Sequence, residues 1–292
     1  DADGKNLRQL TDGPCDDFDP CPLPDGGIAL GIGDDAAVLQ VPPGRQLVAC
    51  TDTLVEGVHF EPSLDPRALG YKSLAVNLSY LAAMGAEPAW FLLALTLPGD
   101  DADWVERFAD GMAVAALESG VFLAGGDTTR GSLSVTVTAL GFVPPGEALT
   151  RSGALEGDLV YVTGWPGEAM AGLRVLESGG SISSPRLERR FVRPDPRVGE
   201  GLALRGLATA AIDLSDGLGT DLQRLAVASG VRISIRVEDL PVSREIADIF
   251  GAESALELTI CGGDDYELAF TVPPQQEDRL LRVAEHWSCD LT

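Results

Sequence analysis

From residue 28 onward the sequence alternates two kinds of apolar pattern, and this alternation restricts the fold more than any other feature. "DPRALGYKSLAVNLSYLAAMG" has the spacing of a helix, with Asp65 placed as its N-cap, Pro66 in its first turn and Gly85 as its stop. "PAWFLLALTL" follows as a strand, "DADWVERFADGMAVAALESG" as a second helix ending at Gly120, and "VFLAGG" as a short buried strand. In "SLSVTVTALGFV", residues 132 to 143, polar and apolar residues alternate as they do in a half-exposed strand. Together these segments make one α/β unit.

Turn formers crowd "PPGEALTRSGALEGD" and mark a boundary, so the chain reads as a domain over 27–143, a linker over 144–157 and a second domain over 158–292. The second unit starts at "LVYVTG", has helical segments near 167–178 and 198–206, then the strand "ATAAID" and the helix "SDGLGTDLQRLAVASG". "RISIRV" and "YELAFTV" read as strands, and a last helical pattern runs around 275–286. Residues 1–26 fit neither unit and are expected to form a peripheral leader. The ending "SCDLT" falls inside an expected strand, which suggests a truncated carboxyl terminus.

Composition narrows the partners. A formal charge of −24 repels nucleic acid and anionic lipid, so a polyanionic ligand would need metal ions to mediate contact. The longest apolar run, "AWFLLALTL", is far short of the about 20 residues a membrane span needs. Cysteines at 15, 21, 50, 261 and 289 lack zinc-like pairing, which points to reduced thiols in a cytoplasm.

Acidic residues recur where apolar runs end: Asp34 and Asp35 in "GIGDDAAVL", Asp52 after "LVACT", and Asp127 after "FLAGG". The second half repeats the device with Asp213 and Asp216 in "AAIDLSDGL", and Asp264 and Asp265 in "LTICGGDDYEL". Ligands bind at strand ends in α/β folds. Asp is also a favoured turn and cap residue, but so many carboxylates with few cations beside them would repel one another unless metal ions neutralised them. Oxygen-rich sites of this kind suit Mg²⁺ together with phosphate oxygens. The only lysines, Lys5 and Lys72, lie in no P-loop or kinase-type strand. Phosphates would be held by Mg²⁺, the amides of "GGDTTRG", and Arg130 or Arg151.

Seven motifs in register, "GIGDDAAV", "TDTLVEGVHF", "YKSLAVNLSYLAAMGAEPAW", "GGDTTRG", "LTRSGA", "IDLSDGL" and "GGDDYEL", resemble the thiamine-monophosphate kinase family. Its superfamily includes aminoimidazole ribonucleotide synthetase, selenide water dikinase and a hydrogenase maturation protein. The resemblance implies a two-domain synthetase-like fold of class α/β (α+β). Its amino-terminal mixed sheet with helices forms a dimer-interface barrel, and its carboxyl-terminal domain is α/β. It implies a homodimer with ATP in a cleft bordered by both domains. Asp35, Thr51, Asp52, Asp127, Asp213 and Asp216 would hold several Mg²⁺ ions, with Asp34 a supporting turn residue. Gly126, Asp127, Arg151 and Ser215 would touch ATP, and His59 and Asp264 would face thiamine monophosphate. No residue is expected to act as a general base.

Two departures carry expectations of their own. The family has an Asp where this chain has Tyr80, on the helix face of positions 73, 77 and 84. A neutral phenol is a poor Mg²⁺ ligand, so weakened metal binding or low activity is expected, and a degenerate nucleotide-binding homologue is the alternative reading. The chain also ends at Thr292, before the aromatic residue that stacks on the substrate's pyrimidine in the family.

Overall fold

The computed structural model describes residues 35–292, together with the backbone of two short strands, β1 (Cys21–Pro22) and β2 (Ile28–Ala29), which pair antiparallel. The rest of the 1–26 leader and Asp34 lie outside the described residues. Two compact units divide the chain. The first takes the described residues up to Asn77 and then Pro88–Pro145; the second takes Leu78–Glu87 and Gly146–Thr292. Helix α1 (Pro66–Ala83) therefore starts in one unit and ends in the other.

The first unit is built on a four-stranded sheet of β3 (Gln46–Val55), β4 (Glu87–Leu97), β5 (Phe122–Arg130) and β6 (Ser134–Val143), in the order β3-β6-β4-β5. It is mixed: β3 and β6 are antiparallel, β4 and β5 parallel. The predicted helix signals act as expected. Asp65 Oδ1 accepts from Arg67 N at 2.8 Å at the start of α1, and Asp101 Oδ1 accepts from Trp104 N at 3.0 Å at the start of α2 (Ala102–Ser119). Gly120 closes α2 in the left-handed conformation. Glycines let the two helices touch: a Cβ on Gly111 would lie 1.8 Å from Arg67 O. Strand β6 alternates only over its first residues, and Ala139–Val143 is buried on both faces, where Phe142 meets Trp90 edge to face at 5.0 Å.

The second unit carries β7 (Leu159–Val162), β8 (Ala210–Asp213) and β9 (Leu268–Val272), an antiparallel sheet in the order β7-β9-β8. Around it run α3 (Glu168–Glu177), α4 (Pro185–Val192), α5 (Val198–Ala203), α6 (Leu218–Ser229), α7 (Arg244–Phe250), α8 (Ala252–Cys261) and α9 (Glu277–Ala284). Helices α4, α7 and α8 are not in the sequence reading. "RISIRV" is not a strand: residues 232–237 join no ladder. Val231 and Ile233 do pack against the cluster around Ile212 and Leu222, while Ile235 and Val237 are exposed. The flank of β8 is engaged elsewhere, since Ala211 N donates to Thr150 O at 2.9 Å and β9 holds the other side. Residues from Asp290 onward pair with Val162–Gly164; Val162 and Thr292 exchange backbone bonds of 2.8 and 3.0 Å.

Candidate functional site

In the second unit two acidic loops lie side by side because β8 and β9 are neighbours. Asp213 ends β8 opposite Leu268, so the loop leaving β8 runs beside the loop entering β9. The backbone ties them together: Leu214 N donates to Glu267 O, Asp264 N to Ser215 O and Tyr266 N to Leu214 O, at 2.8, 2.9 and 2.8 Å. Only glycine permits the approach at two places. A Cβ on Gly263 would lie 2.6 Å from Ser215 O, and one on Gly217 would lie 2.9 Å from the Cys261 carbonyl. "IDLSDGL" and "GGDDYEL", 48 residues apart from Asp216 to Asp264 by numbering, thus bring Asp213, Ser215, Asp216 and Asp264 to one place.

Their environments differ. Asp213 is 2% exposed, and burial pushes its carboxyl up to about 7, against the pull of a 3.0 Å hydrogen bond from Ser79 Oγ. Arg151, on the loop before β7, also draws that value down through its charge. Asp216 is half-exposed and ion-paired with Arg224. Asp264 stands at φ 66° and Tyr266 at φ 53°, a left-handed conformation that costs a non-glycine residue of order 1–3 kcal/mol. The neighbour of Asp264 does something else: Asp265 is 1% exposed and accepts from Gly167 N (2.6 Å) and Ala169 N (3.0 Å), capping the start of α3 from a distance.

In the first unit the predicted residues are spread over the sheet. Side chains alternate along β3, with Cys50, Asp52 and Leu54 less exposed and Ala49 and Thr51 exposed, so Thr51 and Asp52 leave the strand on opposite faces. Thr51 Oγ1 donates to Val137 O and accepts from Thr138 Oγ1, both at 3.1 Å; Asp52 Oδ1 accepts from Thr53 N at 2.7 Å. Gly126 and Asp127 sit on β5, at the other edge of the sheet, three strand spacings or about 14 Å away. At Gly126 a Cβ would lie 1.9 Å from Leu93 O, so the residue type is dictated by the neighbouring strand. Asp35 lies exposed in a bend. His59 is exposed on the loop after β3, with Nδ1 accepting from Val55 N at 3.1 Å, which leaves Nε2 to carry the proton of the neutral ring.

Both halves of the chain match known domains. Residues 33–143 match the family model described as AIR synthase related protein, N-terminal domain, and residues 156–292 match its C-terminal domain. The thiamine-monophosphate kinase of Escherichia coli (strain K12) is 50% identical over 250 residues, covering 84% of this chain and 77% of that protein. The chain belongs to the thiamine-monophosphate kinase family. Among solved structures, the thiamine-monophosphate kinase from Stenotrophomonas maltophilia K279a superposes with a TM-score of 0.85 at 45% identity, covering 90% of this chain and 86% of that one. AaThiL complexed with AMPPCP and TMP gives a TM-score of 0.77 at 35% identity, covering 89% and 83%.

The ligand candidates named from the sequence are all oxygen donors, the chemistry of a hard cation such as Mg²⁺. Among the described residues no three His, Cys, Asp or Glu side chains form a ready cage for a metal. Mg²⁺ is commonly held by one or two carboxylates with phosphate oxygens and water, so the arrangement fits ions that arrive with a nucleotide. Asp213 supports that fit, since a buried carboxyl with its value pushed to about 7 gains most from a neighbouring cation.

Three acids of the second unit escaped the sequence reading of roles. Asp221 is 1% exposed and accepts from Ser215 N (3.0 Å) and Asp216 N (2.9 Å), so it shapes the loop after β8. Asp265 shapes the start of α3, and Glu267 is wholly buried against Arg197. The available signal for the last two was position: acids that alternate along "GGDDYEL" cannot all face solvent.

Proposed function

We infer that this chain is a thiamine-phosphate kinase, transferring the γ-phosphoryl group of ATP to the phosphate of thiamine monophosphate to give thiamine diphosphate and ADP. The observation that carries the reading is 50% identity to a thiamine-monophosphate kinase across both domains. A relative at 35% identity holds AMPPCP and TMP together, which supports both substrates.

Direct in-line transfer fits the residues. An oxygen of the monoester attacks the γ-phosphorus while the bond to the β-phosphate oxygen breaks. A phosphate monoester has a second pKa near about 6 and is mostly ionised at neutral pH, so no general base is required. Positioning and charge neutralisation then supply the rate. Gly126, Asp127, Arg151 and Ser215 hold the nucleotide, and His59 and Asp264 face the acceptor. Asp35, Thr51, Asp52, Asp127, Asp213 and Asp216 would hold Mg²⁺. When bound, Mg²⁺ neutralises the phosphate charges of ATP. Separation of Asp52 from Asp127 by two intervening strands supports several ions over one.

The same reading makes the enzyme a cytoplasmic homodimer that joins through the first unit's sheet as a barrel. Leu47 near the start of β3 is 48% exposed and Val58, on the loop beyond its end, 74% exposed. Tyr80 supports a second reading, a homologue that binds nucleotide without turnover, because the family resemblance implies a carboxylate at its position and a neutral phenol is a poor Mg²⁺ ligand. Formation of thiamine diphosphate from Mg·ATP and thiamine monophosphate separates the two. Turnover supports the kinase; ATP binding with no product supports the second reading.

A further inference from the structure

The loop 262–267 between α8 and β9 is held in a conformation its residues do not favour by themselves. Asp264 (φ 66°) and Tyr266 (φ 53°) are, among the described residues, the non-glycine positions with positive φ. Their amides are fixed to the loop after β8, by the bonds from Asp264 N to Ser215 O and from Tyr266 N to Leu214 O. Glu267, the next residue, anchors the turn from inside. Arg197 Nε donates to Glu267 Oε2 and Arg197 Nη2 to Glu267 Oε1, both at 2.7 Å, while Thr163 Oγ1 donates to Oε2 at 2.6 Å and Arg190 adds a further contact. Arg197 is itself 5% exposed and bonded to Asp195 at 2.9 Å. Phosphoryl transfer makes no direct use of this buried pair, yet a forked guanidinium fixes both the position and the angle of the carboxylate it grips. A strained turn persists only when its surroundings over-determine it.

We propose that Arg197, through Glu267, is a positioning residue for Asp264, holding the strained turn in the orientation in which Asp264 meets the phosphoryl acceptor. This rests on the reading of Asp264 as acceptor-facing and deepens it: the orientation is set before thiamine monophosphate arrives.

Steady-state kinetics with thiamine monophosphate and Mg·ATP varied separately test it in the wild type, Arg197→Lys and Glu267→Gln. The expected result is a KM for thiamine monophosphate raised about tenfold in both variants, with the KM for ATP changed less than about twofold. Both constants rising together, or neither, overturns the proposal. If the variants do not fold, the wild type still decides through amide hydrogen exchange at Asp264 and Tyr266. Slow exchange in the free protein, unchanged by thiamine monophosphate, is expected. Fast exchange that slows only when thiamine monophosphate is added overturns the proposal. A wild type that makes no thiamine diphosphate defeats the activity reading instead, and the exchange result still judges the positioning.

Discussion

Ser79 Oγ donates a 3.0 Å hydrogen bond to Asp213 Oδ2, tying the last turns of α1 to the end of β8 across 134 residues of sequence. The carboxyl it reaches is buried and pushed up to about 7 from an ordinary 3.8. A raised carboxyl favours the folded state most while it stays protonated. Its contribution is full below pH about 4 and fades as pH rises through about 7. Ser79→Ala removes a donor that pulls the value down, so the burial penalty on the ionised form grows. In metal-free buffer we expect a loss of about 1.5–3 kcal/mol at pH 8 and a smaller one at pH 5, read from urea unfolding. Equal losses at both pH values would show that the bond does not act on the charged form.

Gly126 has Leu93 O where a side chain would begin. Gly126→Ala is expected to cost about 1–3 kcal/mol, because β5 must move away from β4 to make room. As Asp127 is the next residue on β5, the same shift should weaken binding of a non-hydrolysable ATP analogue in the presence of Mg²⁺. Calorimetric titration beside a thermal melt checks both. A variant of unchanged stability would mean that the strand tolerates the added methyl.

Asp265 caps α3, while its neighbour Asp264 is the residue proposed to face the acceptor, so their variants should fail differently. Asp265→Ala leaves the Gly167 and Ala169 amides without their acceptor, and we expect a loss of about 1–3 kcal/mol in stability. Asp264→Asn should leave the melting temperature nearly unchanged and raise the KM for thiamine monophosphate. Melts and kinetics on the pair would contradict the assignment if the two changes were exchanged.

The contrast shows where the sequence is legible. Helix α2 could be read end to end because its signals are local: Asp101 caps it, and Gly120 stops it. The acids placed by sequence at the ends of apolar runs divide: Asp213 does end β8, whereas Asp52 and Asp127 lie within β3 and β5, because those strands continue through polar residues. Helix α4 could not, since Arg190 on it finds its partner Glu267 after 77 residues, and no window of sequence contains both. Asp221 looks like any acid in the first turn of a helix until the fold brings the amides of Ser215 and Asp216 onto it. "RISIRV" misleads in the other direction. Its alternation is met only in part: Ile233 packs with its neighbour Val231 against the core without a ladder, while Ile235 and Val237 stay exposed. Nor does anything in the pattern of α1 mark residue 77 as the place where one unit gives way to the other.

Tyr80 follows Ser79 on α1, and the family resemblance implies an Asp at its position. A phenol offers Mg²⁺ an uncharged oxygen, whereas a carboxylate would offer a charged one. Tyr80→Asp is therefore expected to raise the rate of thiamine diphosphate formation at least about tenfold and to lower the Mg²⁺ concentration needed for half-maximal rate. Assays of product against Mg²⁺ concentration, with ATP and thiamine monophosphate saturating, give both quantities for the two forms. Equal rates and equal Mg²⁺ dependence would place residue 80 outside the metal site. If neither form turns over while both bind ATP, the cause lies beyond residue 80, and the reading of a nucleotide-binding homologue without turnover gains the support.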